Sequence, residues 1–498
     1  MARPTTTFSL ADQPEVFFST TATSRAIRRL LAAGEIRHVA GRLYTRNVSD
    51  PLEAVVRRRV WDIAGGYFPG STIVDRTAFE AAPADPDGAV FLCGPTRRVV
   101  RLPGVVLHCR RGPSPAEGDL PFLGGDLHLS SWPRKFLDNL RPTRARNGGA
   151  RRTLTATELE NELQRILVSQ GDAGLNRLRD EARRLAGPLG AEAELARLDA
   201  RIGALLGTRT AKLASPRARA ARVGLGWDDT RLPLFDALLT ALNGHVPFDR
   251  PERPAHAGPP FAFFEAYFSN YIEGTEFLVE EAEAIVFGGA MPADRPADAH
   301  DVLGTYDVVA DARLRAQTPT DASSLEELLK TLHRRILSAR PEAAPGEYKT
   351  APNRAGATLF VAPQLVRGTL AHGLERYLAL PPGFQRAAFA MFLVAEVHPF
   401  ADGNGRVARA LANAELSAAG QQRLIVPTVL RDDYVNALRA LSHHANATPL
   451  IRVLDRTQDL CAQLDWRALE GVHRRLGDLH AFDPPSSGVR LRLPSELR

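Results

Sequence analysis

Residues 398–409 read His398-Pro399-Phe400-Ala401-Asp402-Gly403-Asn404-Gly405-Arg406-Val407-Ala408-Arg409. The stretch gathers a titratable base, a carboxylate, a Gly-Asn-Gly turn and two guanidinium groups, which is the chemistry of a phosphate-handling loop. On its N-terminal side, residues 384–397 are apolar almost all round (Phe389, Met391, Phe392, Leu393, Val394 and Val397) and predict a helix buried in an all-α domain. Pro399 disfavours the helical region for the residue before it, so this helix is expected to end at His398 and present the imidazole at its mouth. The glycines of residues 402–405 permit a tight turn whose successive N–H groups form an anion-binding nest. Alanine-rich residues 406–419 predict a second helix whose positive N-terminal end points into that nest. Arg406 and Arg409 are three apart and share a helix face, so two forked donors can reach successive phosphates. Asp402 is the hard oxygen ligand that a phosphate-bound Mg²⁺ takes.

The segment resembles the core motif of Fic proteins, His-Pro-Phe-x-Asp/Glu-Gly-Asn-Gly-Arg-x-x-Arg, with every defined position filled. A complete match over this many fixed positions is far more specific than a lone glycine pattern. The resemblance implies a mainly α Fic fold with a small β-hairpin flap, and transfer of AMP from ATP onto a protein hydroxyl. Under it, His398 is the general base and Asp402 holds Mg²⁺. Gly403, Asn404 and Gly405 cradle the α- and β-phosphates, and Arg406 and Arg409 take the outer ones.

Ser269-Asn270-Tyr271-Ile272-Glu273-Gly274 is the second informative stretch. Ser269 and Glu273 are four apart and share one helix face, with Gly274 as the stop. It resembles the inhibitory motif Ser/Thr-x-x-x-Glu-Gly/Asn that many Fic proteins carry before the catalytic core. The resemblance implies that Glu273 pairs with Arg409 in the place of the ATP γ-phosphate. ATP then binds with its α-phosphate misplaced for attack.

Composition bounds the rest. At 498 residues the chain predicts two to four domains. Its 44% hydrophobic and 24% charged content is ordinary for a globular chain, which argues against disorder as the default. The net charge of +6 is weak evidence for nucleic acid, because 59 of the 63 basic residues are arginine, as a coding bias would produce. Its distribution says more: residues 1–150 hold 21 Lys and Arg against 14 Asp and Glu, an excess of seven at the N-terminal end. Cys93, Cys109 and Cys461 are too few and too scattered for a disulfide framework or a zinc site. Residues 1–20 lack a continuous apolar core and no stretch approaches the ~20 apolar residues of a membrane helix, so a cytoplasmic protein with no membrane partner is expected.

In residues 23–46, Thr23 or Ser24 can cap a helix carrying Ile27, Leu30 and Leu31, with Gly34 as its stop. Arg25, Arg28 and Arg29 lie on the opposite side. Two β-prone runs about Ala40-Gly41 then predict a hairpin that carries Arg42. Helix followed by basic hairpin is the pattern of a winged helix-turn-helix, which binds double-stranded DNA. The stretch, and more loosely residues 50–140, resembles the N-terminal region of AbiEi-type antitoxins, which implies a winged-helix transcriptional regulator. Residues 70–130 read as α/β, with strands at 89–93, 99–102 and 105–109, and with Cys93, His108 and Cys109 in a core or on a sheet. A linker is expected over 141–152, and helices over 158–206 broken at Gly171 and Gly187-Pro188. Leu159, Leu163, Ile166 and Leu167, with Leu195, Leu198, Ile202 and Leu205, supply either a bundle core or a homodimer surface. Residues 215–222 and 246–260 read as connectors around a helix at 232–242.

The predicted domains are therefore 1–50, winged helix-turn-helix; 51–150, small α/β; 151–245, helical region and linker; 246–260, proline-rich linker; 261–470, Fic-like catalytic domain; and 471–498, a C-terminal tail expected to be loosely ordered from Phe482. Within the catalytic domain an amphipathic helix is expected over 323–339 and a flap hairpin in 355–362, which could hold a target backbone by strand addition. Further helices are expected over 432–442 and 450–464, with His443-His444 a helix end. The leading expectation is an autoinhibited Mg²⁺-dependent adenylyltransferase with a DNA-binding-like N-terminal domain and a protein target, itself included. Its rivals are a DNA-binding regulator that uses the Fic-like domain as a nucleotide sensor, and a Fic-like enzyme that moves UMP, phosphocholine or phosphate.

Overall fold

The apolar run at residues 384–397 is the helix Phe384–Val397, and it lies at the centre of the C-terminal unit. Twelve of its fourteen residues are buried, as an all-round apolar surface requires. It packs along the helix Asn404–Ala418, which starts two residues earlier than the alanine content predicts. In the computed structural model, residues 8–123, 125–143, 148–253 and 258–497 are described. The chain forms two compact units, Met1–Arg222 and Val223–Arg498.

In the second unit, further helices enclose the central pair. Pro259–Ile272 crosses Pro296–Ala310 and reaches the motif helix, while Ala322–Ile336 packs on the motif helix from another side. Leu232–Asn243 and Val366–Leu378 cover Phe384–Val397, and Phe235 meets Phe389 and Phe392 there. Arg431–His444 and Thr448–Gln463 close the far side. The predicted flap is a hairpin of Arg354–Ala355 and Thr358–Leu359, turned by Gly356 at φ +57°. The 246–260 connector, of which residues 254–257 lie outside the described residues, is tied in: Arg250 is buried against Asp455, and Pro251 bridges Gln421. The segment from Phe482 is not loose. The Phe482 ring stacks on Phe268 at 5.2 Å, and Leu491 and Leu493 are buried beside the helix Thr448–Gln463, where Arg456 donates to the Leu491 carbonyl.

In the first unit, the helix Ser24–Ala32 is followed by Arg37–Ala40 and Leu43–Thr45, with Val16–Phe18 completing a three-stranded antiparallel sheet. Arg25, Arg28, Arg29 and Arg42 are exposed; Leu31, expected inside, is 40% exposed. A six-stranded mixed sheet follows, in the order Arg98–Leu102, Val105–Arg111, Ala89–Gly94, Thr72–Ile73, Leu127–Leu129, Leu120–Phe122. Cys93 and Cys109 are buried in it, and His108 stacks on Phe91. Residues 144–147 of the expected 141–152 linker lie outside the described residues. The long helix Ala156–Leu189 is interrupted at Gly171 (φ 64°, ψ −168°), as expected. Its end comes at Gly190 in the left-handed region rather than at Gly187-Pro188, since Pro188 fits in the last turn. With Glu192–Leu205 it forms a bundle core containing Leu159, Leu163, Leu198 and Ile202. Residues 215–222, expected as a connector, contain the short helix Pro216–Arg222, with Ala218 in that core. Among the described residues no helix is long and apolar enough to cross a membrane.

Candidate active site

The loop of residues 398–405 is shaped by two residues that leave the helical region. His398 ends its helix at φ 53°, ψ 59°, a left-handed conformation that costs a non-glycine residue about 1–2 kcal/mol. Pro399 excludes the helical region, as expected, but the extended path expected for a residue before proline is not the one taken. Gly403, at φ 72°, then turns the chain into the next helix. Asn404 closes the loop from within: its Oδ1 accepts from Phe400 N–H at 2.9 Å and its Nδ2 donates to Phe400 C=O at 3.0 Å. Its side chain is therefore structural, and its backbone N–H is what it can offer a ligand. No side chain caps the Asn404–Ala418 helix, so the first-turn N–H groups of Asn404, Gly405 and Arg406 are donors in search of an anion.

Residues that periodicity does not single out hold this loop. His333, fully buried, stacks on Phe400 with ring centres 3.9 Å apart. It accepts from Gly346 N–H on Nδ1, so Nε2 carries the proton and donates to Asp402 C=O at 3.1 Å. Burial holds its pKa down at about 4, so it is a neutral brace. Lys349 N–H donates to Pro399 C=O, and Asn353 Nδ2 to Phe400 C=O. Lys349 Nζ donates to Asn353 Oδ1 at 2.7 Å, and burial lowers its pKa to about 8.

His398 itself is half-buried and neutral. Its Nδ1 lies 3.2 Å from Ala395 C=O, and since a carbonyl only accepts, Nδ1 carries the proton and Nε2 keeps its lone pair. Burial depresses its pKa to about 4, with Lys349 adding a smaller push the same way. The imidazole, half-buried at the end of its helix, has one face covered. The flap residue Phe360 lies flat on it, ring centres 3.7 Å apart and 4° from parallel. Thr358, on the same side of the strand, hydrogen-bonds His443 Nε2 at 2.9 Å, so His443 braces the flap rather than merely ending a helix.

The two motif arginines are already engaged. Arg406 Nη1 pairs with Asp301 at 2.6 Å, a fully buried carboxylate that also takes Arg340 at 2.7 Å. Its Nε is buried with no hydrogen-bond partner among the described residues, one donor left for a ligand oxygen. Arg409 donates from Nε to Ser269 Oγ at 3.0 Å, and from Nη2 to Ser269 C=O at 2.8 Å and Glu273 Oε1 at 2.7 Å. Glu273 caps the helix Pro259–Ile272, and Gly274, at φ 92°, turns the chain away after it. Its carboxylate overlies the motif: a Cβ added to Gly405 would lie 2.0 Å from Glu273 Oε1. A negative oxygen thus occupies the space directly before a positive helix end. Around it a cavity of about 200 Å³ is lined by His398, Gly405, Arg409, Glu273, Phe360 and Tyr434, among others.

Asp402 is exposed, with Oδ1 accepting from Gly403 N–H at 2.6 Å and no other hydrogen bond to its carboxylate among the described residues. No cluster of three His, Cys, Asp or Glu side chains forms a metal cage among those residues. One available carboxylate beside an anion-binding nest suits a Mg²⁺ that arrives with phosphates, since that ion is held by one or two carboxylates plus substrate oxygens.

These features describe a helical domain built around an uncapped helix end with a neutral histidine beside it. Residues 323–416 match the Fic/DOC family, and the chain carries a domain of that family. It is 28% identical over 213 residues to protein adenylyltransferase fic-1 of Caenorhabditis briggsae, covering 40% of each chain. It is 26% identical over 226 residues to protein adenylyltransferase Fic of Nematostella vectensis, covering 44% of this chain and 51% of that one. The chain thus spans about half the length of these relatives or less. Among solved structures, a Fic domain containing signaling protein from Bacteroides thetaiotaomicron is 21% identical with a TM-score of 0.37, covering 48% of this chain and 97% of that one.

Proposed function

We propose that the chain is an autoinhibited, Mg²⁺-dependent protein adenylyltransferase that moves AMP from ATP onto a side-chain hydroxyl of a protein, itself included. The observation that carries this reading is the Glu273 carboxylate lying over Gly405 and bonded to Arg409, the seat an ATP phosphate would take. The matched relatives are named for the same activity.

In the active state Glu273 leaves. Arg409 and the buried Nε of Arg406 then receive the outer phosphates, and the N–H groups of Asn404, Gly405 and Arg406 hold those nearer the reacting phosphorus. The role of the site is to position ATP and to stabilise charge, with little covalent chemistry of its own. His398, neutral and with Nε2 unprotonated, accepts the proton of the target hydroxyl as that oxygen attacks the α-phosphorus and pyrophosphate leaves. A Mg²⁺ bound at Asp402 would neutralise phosphate charge. The flap is suited to align a target strand against His398.

Restraint follows from the same geometry. With Glu273 in place the triphosphate cannot seat fully, and a misplacement of about 1 Å costs on the order of a hundredfold in rate. The test is labelling of protein by ATP tagged at the α-phosphate: Glu273→Gly raises it and His398→Ala abolishes it. Labelling that survives His398→Ala overturns the mechanism, and parallel trials with other nucleotides decide which group is moved.

A second role is favoured by the exposed Arg25, Arg28 and Arg29 on one short helix, followed by a hairpin with Arg42 at its tip. We read this surface as a contact for double-stranded DNA. Salt-dependent duplex binding that is lost on changing Arg25, Arg28 and Arg29 to Glu supports it, and binding unaffected by those changes removes it.

A further inference from the structure

Both residues of the flap's return strand are held from outside the hairpin. The Leu359 carbonyl accepts from Arg231 Nη2, and the Thr358 hydroxyl meets His443 Nε2. The two ties converge. Arg231 Nη1 pairs with Glu396 Oε1, and the other oxygen of Glu396 accepts from Ser442 Oγ, one residue before His443. Glu396, 2% exposed, stands two residues before His398 on the same chain. The path from flap to Arg231, to Glu396, to Ser442 and His443, and back to the flap is therefore closed, and the catalytic histidine hangs from its middle. Phe360, the next residue of the flap, rests on that histidine.

We propose that Arg231 is a positioning residue that registers the flap to the catalytic helix through Glu396. The guanidinium suits the task because its planar fork presents two donors at fixed spacing, one for the carboxylate and one for the carbonyl. Lysine would offer a point charge to one acceptor at a time. Asp228 lies 3.4 Å from Arg231 Nε, a second carboxylate beside the fork. Arg231 lies well before the stretch that matches the Fic/DOC family, at the start of the helix Leu232–Asn243, so the proposed tie reaches the flap from outside that stretch. A buried carboxylate paired with a half-buried guanidinium is a poor source of net stability, since desolvation offsets the attraction, whereas the pair fixes one geometry against alternatives. The consequence for catalysis rests on the adenylyltransferase reading; the consequence for the flap does not.

The experiment uses full-length Glu273→Gly protein with Arg231→Met or Arg231→Lys added. Hydrogen exchange of the amides of residues 354–360 is measured first, in the absence of nucleotide. Arg231→Met should speed it by about tenfold or more, the scale of losing a charge-assisted hydrogen bond, and Arg231→Lys should recover part of the protection. With ATP and Mg²⁺, the rate of α-phosphate transfer should fall by between about ten- and a hundredfold while ATP affinity stays within about threefold. Unchanged flap exchange overturns the proposal. So does a transfer rate that falls in step with ATP affinity and melting temperature, which is the mark of a general packing defect. If the Glu273→Gly parent transfers nothing, the functional reading fails, yet the exchange measurement still judges the flap tie.

Discussion

Replacing Phe360 with alanine should raise the proton affinity of His398. The imidazole is pinned between Phe360, whose ring lies 3.7 Å away and parallel, and the helix it terminates. Burial disfavours the imidazolium and brings the pKa from 6.5 to about 4. Removing the ring admits water to one face, while the Ala395 carbonyl and the rest of the wall stay. The pKa should therefore recover only part of the gap, by about one to two units. The assay is a titration of the histidine ring resonances by NMR, with His398 assigned by its disappearance in His398→Gln. A His398 that titrates near 6.5 in the parent, or that does not move in Phe360→Ala, refutes the reasoning. At pH 7 the ring is neutral in both proteins, so any loss of transfer there reports the flap and not protonation. Stability follows the same sign. Because the folded pKa is depressed, the unfolded chain binds the proton more readily. The contribution from His398 is fully present above about pH 6.5 and is lost as pH falls towards 4.

Other outcomes follow from neighbouring contacts. Gly405→Ala puts a Cβ 2.0 Å from the Glu273 carboxylate and in the phosphate seat, so labelling should stay at background even when combined with Glu273→Gly, a drop of at least about a hundredfold. Recovery of labelling in that double variant would show that the phosphates sit elsewhere. Asn404→Ala strands the Phe400 N–H and removes one of the two side-chain donors to its C=O, at a cost of about 1–3 kcal/mol visible as a lower urea midpoint. An unchanged midpoint would mean that the loop does not depend on this side chain. Glu415, 2% exposed and bonded by the Tyr377 hydroxyl, has its pKa raised from 4.5 to about 7 by burial. The folded state thus holds this proton more tightly, and up to about 3 kcal/mol of stability present below pH 4.5 is lost as pH rises through 7. Glu415→Gln should flatten the melting temperature over that window, and an equal slope in both proteins argues against it.

Much of the site is legible because it is local. The all-round apolar run marks the buried helix, Gly-Asn-Gly marks the turn, and Ser269 with Glu273 share a face before a glycine stop. The hairpin at 354–359 is likewise visible as a β-prone run around Gly356. What periodicity cannot reveal is which distant charge answers which. Arg406 is bonded to Asp301, Arg409 to Glu273, and Arg231 to Glu396, each pairing made by packing across more than a hundred positions. His333 reads as one more polar residue on an amphipathic helix, though it braces the Asp402 carbonyl. The rule for residues preceding proline excludes the helical region at His398 but does not choose between the extended and left-handed alternatives. The C-terminal end, polar in composition, orders because Phe482, Leu491 and Leu493 find partners that lie far away in sequence.

The claim that joins these observations is that Glu273 restrains a competent transfer site. It is tested most directly by mass spectrometry of the full-length protein and its Glu273→Gly and Glu273→Gly/His398→Ala variants, each incubated with ATP and Mg²⁺. The expected result is an added AMP on a hydroxyl side chain in Glu273→Gly, at least about tenfold above the unsubstituted protein and absent from the double variant. Equal modification of the unsubstituted protein and Glu273→Gly, or none in either, would contradict it.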